Sequence, residues 1–155
     1  MEKLEAHKHE RDVSKTPKVL ILEPTRELAK QVGDDFTSIS SKLRTCCVYG
    51  GVSYEKQERE LRSGVDILAG TPGRILDFIN SGKIDLNKVE HVVLDEVDRM
   101  LDMGFQDQVE DILKSVFFEG RTKKAQTLFF SATCPPWVKR TAQRYEAFTF
   151  LRILY

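Results

Sequence analysis

Short apolar runs alternate with amphipathic stretches along this chain, and that alternation predicts its architecture. Residues 18–23, 45–49, 65–69, 91–95 and 126–130 are β-branched and apolar over the length of a strand, and 148–154 reads as a sixth. Between them, apolar residues recur at helical spacing. Leu28, Val32, Phe36 and Ile39 form one face, with Thr25 placed to cap the helix and Glu27 beside its positive end. Residues 54–62 suit a polar surface helix. Pro72 opens a helix carrying Ile75, Phe78 and Ile79, and Gly82 follows as its stop; Thr71 is a natural cap for it. Phe105, Val109, Ile112 and Val116 form a further face, and Pro135-Pro136 open a last helix with Trp137, Val138 and Ala142. Strict alternation of strand and helix predicts an α/β fold: a mostly parallel sheet with helices on both faces and right-handed crossovers.

The 155 residues suffice for one core, and 41% hydrophobic against 31% charged residues excludes disorder for the bulk of the chain. No apolar run approaches the roughly 18 residues of a membrane span, and the polar leader 1–16 has no apolar signal region, so the expected setting is intracellular and away from membranes. Three cysteines, Cys46 and Cys47 adjacent, suit neither a disulfide framework nor a C-x-x-C zinc site; the adjacent pair should face opposite sides of a strand. His7 and His9 in the leader read as solvated.

Net charge is zero, with 24 basic and 24 acidic residues, but the charge is unevenly placed. Residues 85–119 carry ten acidic and three basic side chains, whereas 120–155 carry seven basic and one acidic. On charge alone the simpler account is that solvated helix faces cluster.

In open parallel sheets ligands bind beyond the carboxyl ends of the strands. The strand-to-helix junctions read Glu23-Pro24-Thr25-Arg26-Glu27, Tyr49-Gly50-Gly51, Gly70-Thr71-Pro72-Gly73-Arg74, Asp95-Glu96-Val97-Asp98 and Ser131-Ala132-Thr133. An apolar strand ending in Asp95-Glu96 has the form of a Walker B element, in which one carboxylate can hold Mg²⁺ through water and its neighbour can take a proton; taken alone the signal is weak, since acidic residues at strand ends are common, and a solvated strand end is the simpler reading. Thr71, Gly73 and Arg74 offer a hydroxyl, an open backbone and a guanidinium at a helix N-terminus, which suits an anion, although a plain helix cap also explains Thr71-Pro72.

Taken in order, P-T-R-E-L-A (24–29), G-G (50–51), T-P-G-R (71–74), D-E-V-D (95–98) and S-A-T (131–133) resemble motifs Ia, GG, Ib, II and III of the DEAD-box RNA helicases. The resemblance covers about residues 17–145. Val97 stands where the family has alanine, and D-E-V-D with the following L-D-M-G-F and C-P-P-W looks most like the nucleolar Gu-type branch.

That resemblance implies a RecA-like domain over residues 17–155 and an ATP-dependent RNA helicase, with nuclear or nucleolar location. It implies Asp95 as the Mg²⁺ ligand through water and Glu96 as the group that positions and deprotonates the hydrolytic water. Asp98, Ser131 and Thr133 would couple nucleotide state to strand separation, and Thr25, Arg26, Gly51, Thr71, Gly73 and Arg74 would contact the backbone of RNA. The implied cofactors are ATP and Mg²⁺, and the implied partners are sequence-tolerant RNA and a second RecA-like domain.

The sequence contains no G-x-x-x-x-G-K-[ST] phosphate loop; its Gly-Lys pair, Gly82-Lys83, is followed by Ile84. The expectation is therefore a fragment that lacks the first strand and phosphate loop, is inactive alone, and has an unpaired sheet edge. The alternative is a non-enzymatic product that binds RNA or a helicase partner.

Overall fold

The structure, a computed structural model, describes residues 16–121, 124–145 and 149–152, the last four by backbone alone. Residues 1–15 of the expected leader, with His7 and His9, lie outside the described residues. Six strands alternate with helices: β1 (Val19–Leu22), α1 (Arg26–Ile39), β2 (Thr45–Val48), α2 (Tyr54–Arg62), β3 (Ile67–Gly70), α3 (Pro72–Asn80), β4 (His91–Leu94), α4 (Val97–Asp102), α5 (Gln106–Val116), β5 (Gln126–Ser131), α6 (Pro136–Arg144) and β6 (Thr149–Arg152). They form one all-parallel sheet in the order β2-β3-β1-β4-β5-β6. The α/β fold expected from the alternation is the fold observed.

Helices cover both faces unequally. Leu20, Leu22, Leu68, Val92, Leu94 and Phe129 join the apolar sides of α2, α3, α4, α5 and α6 in one large core. The opposite face holds Val19, Ile21, Leu43, Ile67 and Ala69, covered by Val32 and Phe36 of α1. Period-two alternation explains the division, and it places Cys46 in the large core and Cys47 against the small one. β1 and β3 are buried along their whole length because they lie inside the sheet with both faces covered.

Three expectations need correction. β3 runs over Ile67–Gly70 rather than 65–69, because the ladder continues through Gly70, paired with both Val48 and Leu22. A Cβ at Gly70 would stand 2.2 Å from the Val48 carbonyl oxygen, so this close approach requires glycine. Thr71 occupies the cap position of α3, but its side chain makes no capping hydrogen bond; the helix begins on Pro72, whose missing N–H needs no partner. The edge of β5 is not bare, since β6 pairs with it from Leu128 to Ser131.

Candidate phosphate track and acidic corner

The sheet reorders the motifs. Along its carboxyl rim the junctions stand as Gly50-Gly51 (after β2), Thr71–Arg74 (after β3), Thr25-Arg26 (after β1), Asp95–Asp98 (after β4) and Ser131–Thr133 (after β5). Three anion-friendly junctions thus adjoin one another over two strand intervals, about 10 Å, and the two junctions rich in acid and hydroxyl groups adjoin each other beside them. The boundary falls between β1 and β4, where the order of strands reverses and such sheets open a crevice.

On the first side, the Thr25 Oγ1 accepts the Leu28 N–H at 3.3 Å and starts α1, as expected for its cap. Arg26 is exposed and pairs with Glu27 at 2.6 Å. Gly51 has φ +79°, a conformation that disfavours any side chain, and the Arg26 Nη1 lies 3.6 Å from where its Cβ would be. A Cβ at Gly73 would meet nothing within 4 Å, so local packing does not demand glycine there. Arg74 donates from Nη1 to the Val52 carbonyl at 3.1 Å and to the Gln57 Oε1 at 2.9 Å, and stands over the Tyr54 ring. Gln57, buried, donates in turn to the Tyr49 carbonyl at 3.0 Å. This side chain ties the Gly50-Gly51 loop to Arg74, and the sequence analysis missed it. Its signal was a polar residue four positions before Leu61, on the buried stripe of α2.

The second side is wired more closely. Asp95 continues the ladder by donating its N–H to the Leu22 carbonyl, and its Oδ1 accepts the Glu96 N–H at 2.9 Å. Glu96 is the non-glycine residue with positive φ (47°) among the described residues, and its Oε2 meets the Arg99 Nη1 at 2.8 Å. Asp98 bridges two strand ends: its Oδ2 accepts both the Thr133 N–H (2.9 Å) and the Thr133 hydroxyl (2.8 Å), while its own N–H donates to the Ser131 Oγ at 3.1 Å. Burial acts to raise the Asp98 pKa, but the hydrogen bonds from Thr133 and Ser131 and from the Arg99 N–H outweigh it and hold the carboxyl below its ordinary value. Burial raises Asp95, helped by the Glu96 charge and opposed by the Glu96 N–H.

Glu23, visible in its junction motif but given no role from the sequence, is a second such residue. It follows directly on β1, donates its N–H to the Gly70 carbonyl, is fully buried, and neither carboxyl oxygen has a hydrogen-bond partner. Burial, with the Asp95 and Glu96 charges, pushes its pKa up to about 8, so Glu23 is mostly neutral at pH 7. A carboxylate closing an apolar run, as Asp95 does, was its visible signal.

The family pattern described as DEAD/DEAH box helicase matches residues 2–141. The chain belongs to this family. It is 52% identical over 145 residues to the mouse ATP-dependent RNA helicase DDX50, covering 94% of this chain and 20% of that protein. It is also 52% identical over 153 residues to the rat nucleolar RNA helicase 2, covering 99% of this chain and 20% of that protein. Among solved structures, a DEAD box protein from Methanococcus jannaschii superposes with a TM-score of 0.75 at 40% identity, covering 86% of this chain and 36% of that one. The yeast splicing factor Prp28 gives 0.77 at 36% identity, covering 84% and 31%. This DEAD/DEAH box chain therefore spans about a fifth of the length of the curated relatives it matches. No helix among its described residues is long and apolar enough to cross a membrane.

Proposed function

We propose that this chain is the motif-bearing part of the ATP-binding domain of an ATP-dependent RNA helicase, working in the nucleus or nucleolus as its relatives' names suggest. The observation that carries this reading is the Asp98 bridge. Asp98 joins the end of β4, where Asp95 and Glu96 stand, to the end of β5, its carboxylate accepting from Thr133 and its N–H donating to Ser131, and so provides a direct link between the two strand ends.

The acidic corner fits Mg²⁺ held through water. Among the described residues no cluster of three acidic, His or Cys side chains could ligate a metal directly, whereas Asp95 presents a half-buried carboxylate whose charge burial disfavours and a nearby cation would favour. Mg²⁺ there would neutralise phosphate charge. Asp95 would hold such an ion through its water shell, and Glu96, its carboxylate paired with Arg99, would serve as the proton acceptor for an attacking water once a phosphate loop completes the site. Asp98, Ser131 and Thr133 couple this corner to the RNA side.

For RNA, Gly51 and Gly73 leave the backbone accessible, and Thr25, Arg26, Thr71 and Arg74 supply hydroxyl and guanidinium donors to phosphates, which gives affinity without base reading. Thr71, free of a capping bond, can turn its hydroxyl to such a ligand. A second RecA-like domain would complete the track and the ATP site.

The sequence has no G-x-x-x-x-G-K-[ST] cradle, so the residues present do not fit the phosphates of ATP. That favours a second reading for the chain on its own: it binds RNA or a helicase partner and hydrolyses nothing. Calorimetry with ATP and Mg²⁺ on the isolated chain separates the two, the expected result being no binding at micromolar concentration. Joining the chain to a phosphate-loop segment and a second domain from a relative should restore RNA-stimulated ATPase activity, and failure of that chimera with intact folding would overturn the helicase reading.

A further inference from the structure

Arg74 makes both of its hydrogen bonds within the protein from one corner of its guanidinium. Nη1 donates to the Val52 carbonyl at 3.1 Å and to the Gln57 Oε1 at 2.9 Å, and among the described residues nothing accepts from Nε or Nη2. Those two atoms form the side edge of the guanidinium, a pair of parallel N–H donors matched to two oxygens of one phosphate. The held corner decides which edge is left.

Gln57 lies on the buried stripe of α2, only 3% exposed, and both ends of its amide are engaged. Its Oε1 accepts from Arg74, and its Nε2 donates to the Tyr49 carbonyl at 3.0 Å. Turned over, the amide would set its NH₂ group against Nη1 and its oxygen against the Tyr49 oxygen, so the network admits one orientation. The acceptor is also neutral. A carboxylate in its place would pair with the guanidinium and offset the charge that attracts a phosphate, whereas an amide oxygen directs the group and leaves its charge whole. Tyr54, three positions earlier on α2, completes the seat. Arg74 stands 5.8 Å from its ring centroid, the ring stacks on Phe78 of α3 at 4.3 Å, and its hydroxyl meets the Ser81 Oγ at 2.6 Å. The seat thus joins α2, α3 and the loop after β2, and it uses neither atom of the side edge.

We propose that Gln57 is a positioning residue of the phosphate track: it touches no ligand, and by holding Nη1 it presets Arg74 to take a phosphate through the Nε–Nη2 edge. The ligand is the RNA backbone of the reading above, on which the proposal rests. Seating the guanidinium beforehand reduces the ordering cost of a long side chain on binding.

The test is fluorescence anisotropy of the chain with a labelled decauridylate at several salt concentrations, comparing Gln57→Met, Arg74→Ala and the double variant, with circular dichroism to verify folding. Methionine nearly keeps the side-chain volume and removes both hydrogen bonds. Gln57→Met changes no charge, yet it should weaken binding about 3-fold or more and flatten the log–log salt slope by about one, as Arg74→Ala does, because each loses the same phosphate contact. In the Arg74→Ala background it should change the affinity by less than about 2-fold. A native slope in Gln57→Met beside a flattened one in Arg74→Ala would overturn the positioning role and leave the RNA reading standing, and so would losses that multiply in the double variant. If Arg74→Ala changes neither affinity nor slope, Arg74 meets no phosphate, and the RNA reading fails at this junction and the proposal with it. Side-chain ¹⁵N–¹H spectra test the same geometry on the unmodified chain, whatever the folding of the variants. Decauridylate should move the Nε and Nη2 signals of Arg74 and leave Nη1 in place; movement centred on Nη1 would show that the held corner is released and would overturn the proposal.

Discussion

The two halves of the carboxyl rim are built on opposite plans. Around β4 and β5 the functional groups bind one another: Asp95 takes the Glu96 N–H, Glu96 pairs with Arg99, and Asp98 is satisfied from Thr133 and Ser131 more than thirty positions away. Around β2, β3 and β1 they are held from behind, Arg74 by Val52 and Gln57 and Thr25 by the first turn of its helix, while the outward side consists of Gly51, Gly73 and an uncommitted Thr71 hydroxyl. The difference follows from what each half would handle. A proton and a cation need charges fixed before the ligand arrives, whereas a flexible polyanion needs open backbone and donors that adjust.

The largest effect that separates the halves is expected in the chimera. Glu96→Gln keeps the shape and removes the carboxylate proposed as the base, so turnover should fall by roughly 10² to 10⁴ while RNA affinity stays the same. Equal turnover in the two proteins would return Glu96 to a solvated strand end.

Next comes Asp98→Ala, which strips the Thr133 N–H and hydroxyl of their carboxylate partner while the backbone N–H at 98 can still reach Ser131. Urea denaturation of the chain should show a loss of roughly 2 to 3 kcal/mol. Because the folded-state pKa of Asp98 lies below its ordinary value of 3.8, the contribution should be full above that pH and disappear as pH falls below it. A loss that persists unchanged at pH 2 would mean that packing, not the ionised bridge, supplies it.

Glu23 gives the opposite sign. Its carboxyl is pushed from 4.5 to about 8, so the folded chain is favoured with Glu23 protonated; that contribution is complete below pH 4.5 and is lost as pH rises through 8. Relative to Glu23→Gln, the native chain should lose on the order of a few kcal/mol between those limits. Parallel stability curves for the two proteins across that range would show that Glu23 is ionised and paired.

How much of this was legible in the sequence differs between the two halves in the same physical terms. The strands, their parallel order of succession and the five junction motifs were readable, because apolar period and Gly/Pro punctuation act over a few residues. Even the contact of Asp98 with Ser131 and Thr133 was legible, because Asp98 lies one turn past the strand end and within reach of those hydroxyls. Gln57 and Glu23 were not, since each is a polar group defined by what the sheet stacks beside it: Tyr49 and Arg74 for one, Asp95 and Glu96 for the other. β3 was misplaced at its end because Gly70 looks like a turn residue, and it is a strand residue only because Val48 passes so close.

The smallest effects should fall on the open half. Arg26→Ala and Arg74→Ala should each weaken single-stranded RNA binding a few-fold and flatten the salt slope by about one. Arg74→Ala should cost more, because it also releases Gln57 and the Gly50-Gly51 loop. Identical losses in the two variants would remove that loop from the contact.

The division of the rim is tested most directly by amide chemical shifts of the isotopically labelled chain, followed during titration with a short uridine oligonucleotide and, separately, with Mn²⁺. RNA should move the amides of Thr25, Gly51, Thr71 and Gly73 and leave those of Glu96, Asp98 and Thr133 in place, while Mn²⁺ should broaden Asp95 and Glu96 and spare Gly51 and Gly73. RNA shifts centred on Glu96 and Thr133, or Mn²⁺ broadening centred on Gly51 and Gly73, would contradict it.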